Sequence, residues 1–130
     1  MEKQNKKIIG VDIGGTAIKF ALMDTQGKIE KKWSISTNIS EKGRFIPAEI
    51  GSSIYRSIDK DTLKEIEGIG IGVPGAISSD GETVVRAVNL DWAQLPLKKI
   101  IKHELGIEAC LLNDACLLYT SPSPRDSTSS

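Results

Sequence analysis

The sequence predicts an α/β domain in which helices pack on a mixed β-sheet. Three observations favour this class: short β-branched segments bounded by glycine, two amphipathic helix patterns between the later segments, and an ordinary globular composition. Hydrophobic residues make up 39% of the 130 residues and charged residues 26%, close to the average for globular domains. This length suits one domain with a modest core.

Three extended segments come first and are joined by short turns. They cover residues 7–13, 17–24 and 29–36, and a Gly-Gly pair separates the first two. Because strands linked by such short turns pair in antiparallel fashion, the sequence predicts a three-stranded meander. In the third segment Ile29 and Trp33 stand at odd positions, so we expect them to face the core and the intervening lysines to face water.

The rest of the chain alternates between helix and strand patterns. Isoleucine recurs every fourth residue from Ile46 to Ile58, which predicts one amphipathic helix. The other predicted elements are strands over residues 66–73, 83–88 and 107–112, and a second helix over 97–105 that Gly106 ends. Strands separated by helices favour parallel pairing, so a mixed five-stranded sheet is expected.

Net charge, the length of apolar runs and the spacing of the cysteines argue against several classes of protein. Lysine plus arginine and aspartate plus glutamate both number 17, which argues against a basic nucleic-acid-binding domain. No apolar run is long enough for a membrane span, and the Lys-rich start is not a secretory signal. The two cysteines lack the spacing of a disulfide framework or a zinc site, and Cys110, in the middle of a predicted strand, is expected to be a buried small hydrophobe. We therefore expect a cytoplasmic protein with no nucleic-acid or membrane partner.

The last fifteen residues differ in amino-acid composition from the rest of the chain. Residues 116–130 are rich in Ser, Thr and Pro and have no apolar periodicity, which is typical of disorder. Their sequence resembles one reading frame of a transposase adapter used in sequencing libraries. The prediction is an authentic domain over 1–115 and a non-native tail over 116–130, with a natural disordered tail as the alternative.

The first candidate site is the segment from Asp12 to Lys19, at the end of the first strand. Gly14 and Gly15 permit a sharp turn that brings backbone amides close to a ligand, and successive amides form an anion-binding concavity. The Thr16 hydroxyl adds a donor, while the flanking carboxylate suits the magnesium ion that accompanies a nucleotide. Phosphate binding and a simple glycine-requiring hairpin remain equal alternatives at this point.

A second glycine-rich segment, Gly70 to Gly75, matches the dinucleotide-binding pattern G-x-G-x-x-G. In that pattern a helix follows at once, whereas here Pro74 and Gly75 lead into a polar loop. We interpret the segment as a strand end whose backbone lines a small-molecule pocket. A nicotinamide- or flavin-dependent enzyme is the alternative.

The third candidate site is the pair Asn113 and Asp114, just beyond the last predicted strand. Ligands of open α/β sheets bind at this edge, and a carboxylate there could accept a proton from a substrate hydroxyl. Asn113 could hold neighbouring hydroxyls with its donor and acceptor. Taken alone, the pair is better explained as a helix N-cap.

In this order, these segments resemble the ROK family of sugar kinases, within the actin-like ATPase superfamily. The segments that carry the resemblance are residues 12–19, 70–75, 88–92 and 106–115. Within the family the chain is most similar to bacterial glucokinases, in which an Asn-Leu-x-Trp segment precedes a Leu-rich helix and Asn-Asp-Ala. The resemblance implies an incomplete amino-terminal domain of the ribonuclease H-like, actin-like ATPase fold.

The resemblance also implies roles for individual residues. The phosphate-binding hairpin would contain Asp12, Gly14, Gly15, Thr16 and Lys19, with Asp12 near Mg²⁺. The sugar pocket would contain Gly75, Asn89, Asn113 and Asp114. Of these, Asp114 would be the general base that takes the proton of the sugar 6-hydroxyl.

The function implied for the parent gene is ATP-dependent phosphorylation of glucose. Kinases of another hexose or of an N-acetylhexosamine, and a non-catalytic sugar- or nucleotide-binding module, are alternatives. Family repressors carry a DNA-binding domain ahead of the Asp-x-Gly-Gly-Thr motif, and since only a few residues precede Asp12 here we expect no such domain. The family's second domain and zinc site are absent from this fragment, so we expect the fragment itself to be inactive. The full-length parent could form an oligomer.

Overall fold

The computed structural model describes residues 6–113 and contains eight strands and four helical segments in that range. In chain order they are β1 (Lys7–Ile13), β2 (Ala17–Asp24), β3 (Ile29–Ser36), α1 (Ser40–Gly43), α2 (Ile46–Ser57), α3 (Lys60–Lys64), β4 (Ile66–Val73), β5 (Ala76–Ile77), β6 (Val84–Ala87), β7 (Trp92–Leu95), α4 (Leu97–Leu105) and β8 (Ala109–Asn113). A 3₁₀ turn, Val88–Leu90, links β6 to β7. The predicted domain boundary at residue 115 and the tail over 116–130 lie outside the described residues.

A five-stranded mixed sheet in the order β3-β2-β1-β4-β8 forms the centre of the fold. The first three strands are an antiparallel meander, and β4 and β8 run parallel to β1. This confirms the predicted sheet. Because β1, β4 and β8 are parallel, their carboxyl ends lie at one edge of the sheet, where ligands of such sheets bind.

One face of this sheet carries the core, and α2 and α4 pack on it. The isoleucine stripe of α2 is buried as predicted, with Ile46, Ile50 and Ile54 fully inaccessible. The buried side chains of α4 are Leu97, Ile101 and Leu105. Gly106 ends α4 in the left-handed conformation expected of a helix C-cap, with a φ of +72°.

The opposite face of the sheet is more open. In the described part of the chain its central positions are Ile8, Gly10, Ala21, Met23 and Gly70, which line a shallow cavity of about 330 Å³. None of these five residues is fully buried, and Ile8 is 37% exposed. The described domain therefore has one covered face and one accessible face.

A second sheet, β5-β6-β7, lies beyond the carboxyl end of β4. The sequence indicated only its middle strand, β6. The strand β5 has two residues, too few for periodicity to show, and β7 follows the left-handed residue Asp91, at which φ is +59°. This small sheet carries the chain from Gly75 to the turn that contains Asn89.

Two sequence interpretations are wrong. Ile29 was expected to face the core, but it is 49% exposed, because the pairing register shifts between Leu22 and Met23 and reverses the alternation at the start of β3. Cys110 was interpreted as a buried small hydrophobe, but it is exposed on β8, since it points away from the face that α4 covers. No helix in residues 6–113 is long and apolar enough to cross a membrane.

Candidate active site at the carboxyl edge of the sheet

The hairpin between β1 and β2 forms the tight turn that the glycine pair predicted. The Gly14 amide donates to the Ala17 carbonyl at 2.9 Å, and a Cβ added at Gly14 would lie 2.8 Å from that same oxygen. Gly15 and Thr16 at the tip are exposed, and their amide groups form no hydrogen bond within the described residues. Two adjacent amides open to solvent can bind an anion such as a phosphate group.

Thr37, at the end of β3, holds this hairpin in place. Its hydroxyl donates to the Gly14 carbonyl at 2.8 Å, and its amide donates to the Thr16 carbonyl at 3.0 Å. The Gly14 carbonyl thereby points toward Thr37, and the Gly15 amide of the same trans peptide points to the outer side of the turn. Sequence analysis missed Thr37 because the contact spans 23 residues, and no local pattern indicates it.

Replacing Thr37 with valine is expected to lower the free energy of unfolding by about 1 kcal/mol, the usual net value of one hydrogen bond. The change keeps the shape of the side chain but removes the donor to Gly14. In the full-length protein the KM for ATP should rise while the KM for sugar stays constant. Urea titration and initial rates measure the two effects. Thr25→Val, in the exposed β2–β3 turn, is the matched control, and equal effects of both variants would contradict the anchoring role.

Asp12 and Lys19 lie directly opposite each other across β1 and β2. Cross-strand partners point to the same face of a sheet, and both residues are exposed on the accessible face. Asp12 is also aligned with Gly72 of β4, so a small neighbour flanks its carboxylate. The structure thus places a carboxylate and an ammonium group beside the glycine hairpin.

Asp12 fits a magnesium ion that arrives with a nucleotide. Within residues 6–113 there is no group of three or more His, Cys, Asp or Glu residues that could hold a metal ion. Mg²⁺ commonly binds through one or two carboxylates, several waters and the substrate phosphates. A single exposed carboxylate beside a phosphate-binding turn matches that donor set, and the chemistry of the ion would be charge neutralisation on the phosphates.

The ends of β4 and β8 bring Gly75 and Asn113 together. Val73 and Asn113 are aligned in the parallel register. Beyond Val73 the chain turns at Pro74, and the Gly75 amide donates to the Val73 carbonyl at 2.9 Å. The Asn113 side-chain amide donates to the Gly75 carbonyl, so the two strand ends are joined by a direct hydrogen bond.

Gly75 also lies against the chain that leads to Asn89. A Cβ added at Gly75 would be 2.1 Å from the Arg86 carbonyl oxygen and 2.9 Å from the Ala87 Cα. Residues 88–90 then form the 3₁₀ turn in which Asn89 occupies the middle position. The structure therefore joins Gly75 to Asn113 and packs Gly75 against residues 86 and 87, which precede the turn of Asn89. The Asn89 side chain is not described, and Asp114 lies outside the described residues.

The glycine pattern over residues 70–75 does not have the context of a dinucleotide site. Gly75 is followed by β5 and then a turn around Asp80, whereas the pattern requires a helix N-terminus at the pyrophosphate. Within the turn, hydrogen bonds from Ser78 and from the Glu82 amide lower the pKa of the Asp80 carboxyl. The observed context is therefore a strand end followed by a short strand and a turn, and not a strand-to-helix phosphate site.

Together, the sheet order, the glycine hairpin and the strand ends define the amino-terminal domain of an actin-like ATPase fold. The profile of the ROK family matches residues 8–121, and the chain belongs to the ROK family. That match extends six residues into the segment interpreted as a tail.

Several known proteins are similar to this chain. A glucokinase of Halalkalibacterium halodurans is 36% identical over 109 residues, covering 82% of this chain and 33% of that protein. A putative xylose repressor of a Caldicellulosiruptor species is 33% identical over 110 residues, covering 83% and 28%. The crystal structure of a ROK family glucokinase from Streptomyces griseus with glucose and AMPPNP superposes with a TM-score of 0.70 at 31% identity, covering 84% and 33%. The chain spans about one third of the length of these proteins.

Proposed function

We propose that the chain is the amino-terminal part of a cytoplasmic, ATP-dependent sugar kinase whose substrate is glucose. The observation that carries this proposal is the convergence of two different sites at one edge of the sheet. A hairpin with two open amides ends β1, while Gly75 and Asn113, joined by a hydrogen bond, end β4 and β8. A phosphate-binding turn next to a cluster with amide and carbonyl groups suits a reaction between a nucleotide and a sugar.

Each group has a defined role in the proposed reaction. The amides of Gly15 and Thr16 bind phosphate oxygens, and Asp12 and Lys19 lie on the side where the nucleotide's Mg²⁺ and phosphates approach. Gly75, Asn89 and Asn113 hold sugar hydroxyls. With Mg²⁺ bound, the charge of the phosphates is partly neutralised.

Asp114 accepts the proton in the proposed step. The sugar 6-oxygen forms a bond to the γ-phosphorus, the bond from that phosphorus to the bridging oxygen of ADP breaks, and the 6-hydroxyl proton passes to the carboxylate. Most of the rate enhancement in phosphoryl transfer comes from positioning and charge stabilisation. For that reason Gly75 and Asn113, which position the sugar, matter as much for the rate as the base Asp114.

Two other functions are supported by particular relatives. An N-acetylgalactosamine kinase of a Shewanella species is 32% identical over 77 residues, which supports a kinase of another hexose or of an N-acetylhexosamine. The xylose repressors of Caldicellulosiruptor support a sugar-binding module without catalysis. The proposed sugar site suits a glucose kinase, a kinase of another sugar and a non-catalytic sugar-binding module. Measuring phosphoryl transfer from ATP to each sugar distinguishes these three functions.

The test is to sequence the source DNA across the codon for Ala115 and to express the full reading frame. We expect the full-length protein to phosphorylate glucose with ATP, and to prefer glucose over mannose, fructose and N-acetylhexosamines. The 130-residue chain alone should show no such activity, because one third of the enzyme lacks the remaining substrate contacts. Calorimetry with glucose and with ATP distinguishes binding without turnover. Activity of the short chain, or a full-length protein that phosphorylates no hexose, would contradict the proposal.

A further inference from the structure

A buried hydrogen bond joins two segments that are 49 residues apart in sequence. The Trp92 indole nitrogen donates to the Gly43 carbonyl at 3.0 Å, and both residues are buried. Gly43 belongs to the segment after β3, whereas Trp92 directly follows the turn that contains Asn89. The bond therefore fixes that turn relative to a part of the chain outside the strand ends already described.

The approach of the two segments requires glycine at position 43. Its φ is +67°, and an added Cβ would lie 2.6 Å from the Leu90 carbonyl oxygen and 2.7 Å from the Trp92 indole nitrogen. Leu90 is fully buried. A side chain at position 43 would push the Asn89 turn away, so the contact is both close and specific.

Backbone strain in the described residues is concentrated around this contact. The non-glycine residues with positive φ in residues 6–113 are Glu41, Lys42, Asp91 and Gln94. Glu41 and Lys42 directly precede Gly43, and Asp91 and Gln94 lie on either side of Trp92. Such conformations are unfavourable and persist only where the surrounding structure fixes them, which indicates that the contact holds both segments in a set geometry.

The two segments also line an open surface cavity of about 840 Å³. Its wall contains Glu41, Lys42, Arg44 and Asp91, together with three residues of β7, Trp92, Ala93 and Leu95. Charged groups of both signs line it, which suits a ligand with many hydroxyl groups. This cavity opens beside the turn of Asn89, so a shift of either segment changes the space next to a proposed sugar contact.

We propose that Gly43 and Trp92 are positioning residues for sugar recognition, an inference that rests on the proposed function. The Asn89 turn is held at two points: Ala87 lies against Gly75, and Leu90 with Trp92 lies against Gly43. Asn89 stands between these points. The first contact sets its distance from Gly75, and the second prevents the turn from rotating away from the sugar site.

Trp33 provides a matched control for a tryptophan variant. Its indole nitrogen donates to the Ser53 hydroxyl at 2.8 Å, and its ring stacks on Phe20 with centroids 4.9 Å apart. Trp33 thus makes one hydrogen bond between segments distant in sequence, as Trp92 does, but its bond joins β3 to α2. The variants Trp92→Phe and Trp33→Phe each remove one donor and keep an aromatic ring.

The first experiment measures hydrogen exchange in the 130-residue chain. In Trp92→Phe the amides of Gly43 and Asp91, which donate to Ile39 and Val88, should exchange about tenfold faster, because local opening no longer breaks the indole bond. In Trp33→Phe they should be unchanged. Gly43→Ala disturbs the same contact from the other side and should give the same pattern as Trp92→Phe. Equal exchange at both amides in all variants would overturn the proposed contact.

The second experiment measures kinetics in the full-length protein. Trp92→Phe should raise the KM for sugar about tenfold, equivalent to about 1.4 kcal/mol, and leave the KM for ATP within about twofold. Trp33→Phe should change neither value. Faster exchange without a change in the sugar KM would show that the contact exists but does not position Asn89. If the wild-type full-length protein phosphorylates no hexose, the proposed function is wrong, and hydrogen exchange still decides whether the contact couples the segments.

Discussion

Replacing Gly75 with alanine is expected to lower the free energy of unfolding by about 3 kcal/mol or more, the upper range for overpacking substitutions. The new Cβ would lie 2.1 Å from the Arg86 carbonyl oxygen, 2.9 Å from the Ala87 Cα and 3.0 Å from the Ala87 Cβ. None of these atoms belongs to a long side chain that could rotate away. The backbone at position 75 or at residues 86 and 87 must therefore move. Urea titration of the variant measures the resulting loss in the free energy of unfolding.

Gly70→Ala is the matched control for this prediction. Gly70 lies in the same strand, β4, but an added Cβ would have no atom within 4 Å. Its φ is not positive, and alanine is not strained there. We expect the control to change the free energy of unfolding by no more than about 0.5 kcal/mol. Similar losses in the two variants would mean that the approach of β4 to residues 86 and 87 is not as close as described.

Gly75→Ala should also impair sugar binding beyond its effect on stability. The Gly75 carbonyl accepts the hydrogen bond from Asn113, and the same residue lies against the segment leading to Asn89. Displacement of Gly75 is therefore expected to move both Asn113 and the segment that leads to Asn89. In a folded full-length variant, the KM for sugar should rise more than the KM for ATP.

Replacing Asp114 with asparagine in the full-length protein is expected to lower kcat by about 10²- to 10⁴-fold, the usual contribution of a general base. Asparagine is nearly isosteric with aspartate and keeps a hydrogen-bonding oxygen, but it cannot accept the 6-hydroxyl proton. The KM for sugar should change little, since the amide still contacts the substrate. Steady-state kinetics with glucose and ATP measures both constants.

Asp24→Asn is the control for the loss of one carboxylate. Asp24 is the last residue of β2, and its side chain accepts hydrogen bonds from the Lys28 and Gln26 amides of the following turn at 2.9 Å each. These two bonds lower the pKa of the Asp24 carboxyl. Asparagine keeps the acceptor oxygen, and the turn is remote from the strand ends. The control should retain wild-type kcat. A loss below about tenfold in Asp114→Asn would exclude the role of Asp114 as the base.

The main sheet could be predicted because its signals are local. Most of its strands are short apolar segments ended by glycine or a polar turn, and α2 has isoleucine at every fourth position. The start of β8 was placed two residues early, at Ile107 instead of Ala109. The Glu108 carbonyl already accepts a hydrogen bond from the Ile69 amide of β4 at 2.9 Å, so the approach to the sheet begins just before the strand itself. The reversal at Ile29 could not be predicted, because a register shift depends on the partner strand.

The glycine and asparagine positions of the candidate site could be predicted, whereas the contacts that hold them could not. Gly14 and Gly75 were identified from their motifs, and the structure supplies the reason that each must be glycine. Thr37 and Gly43 act through residues that are distant in sequence. A lone threonine after a strand, or a lone glycine in a polar segment, has many local explanations, and only the folded chain distinguishes them.

The order of strands in the main sheet has a consequence for synthesis on the ribosome. All five strands, β8 included, are complete by residue 113, so in a protein three times this length the domain can form while most of the polypeptide is still untranslated. Its helix-covered face forms from its own residues, but the face lined by Ile8 and Met23 remains accessible. While that face is accessible, it can contact chaperones and neighbouring nascent chains on the same messenger RNA.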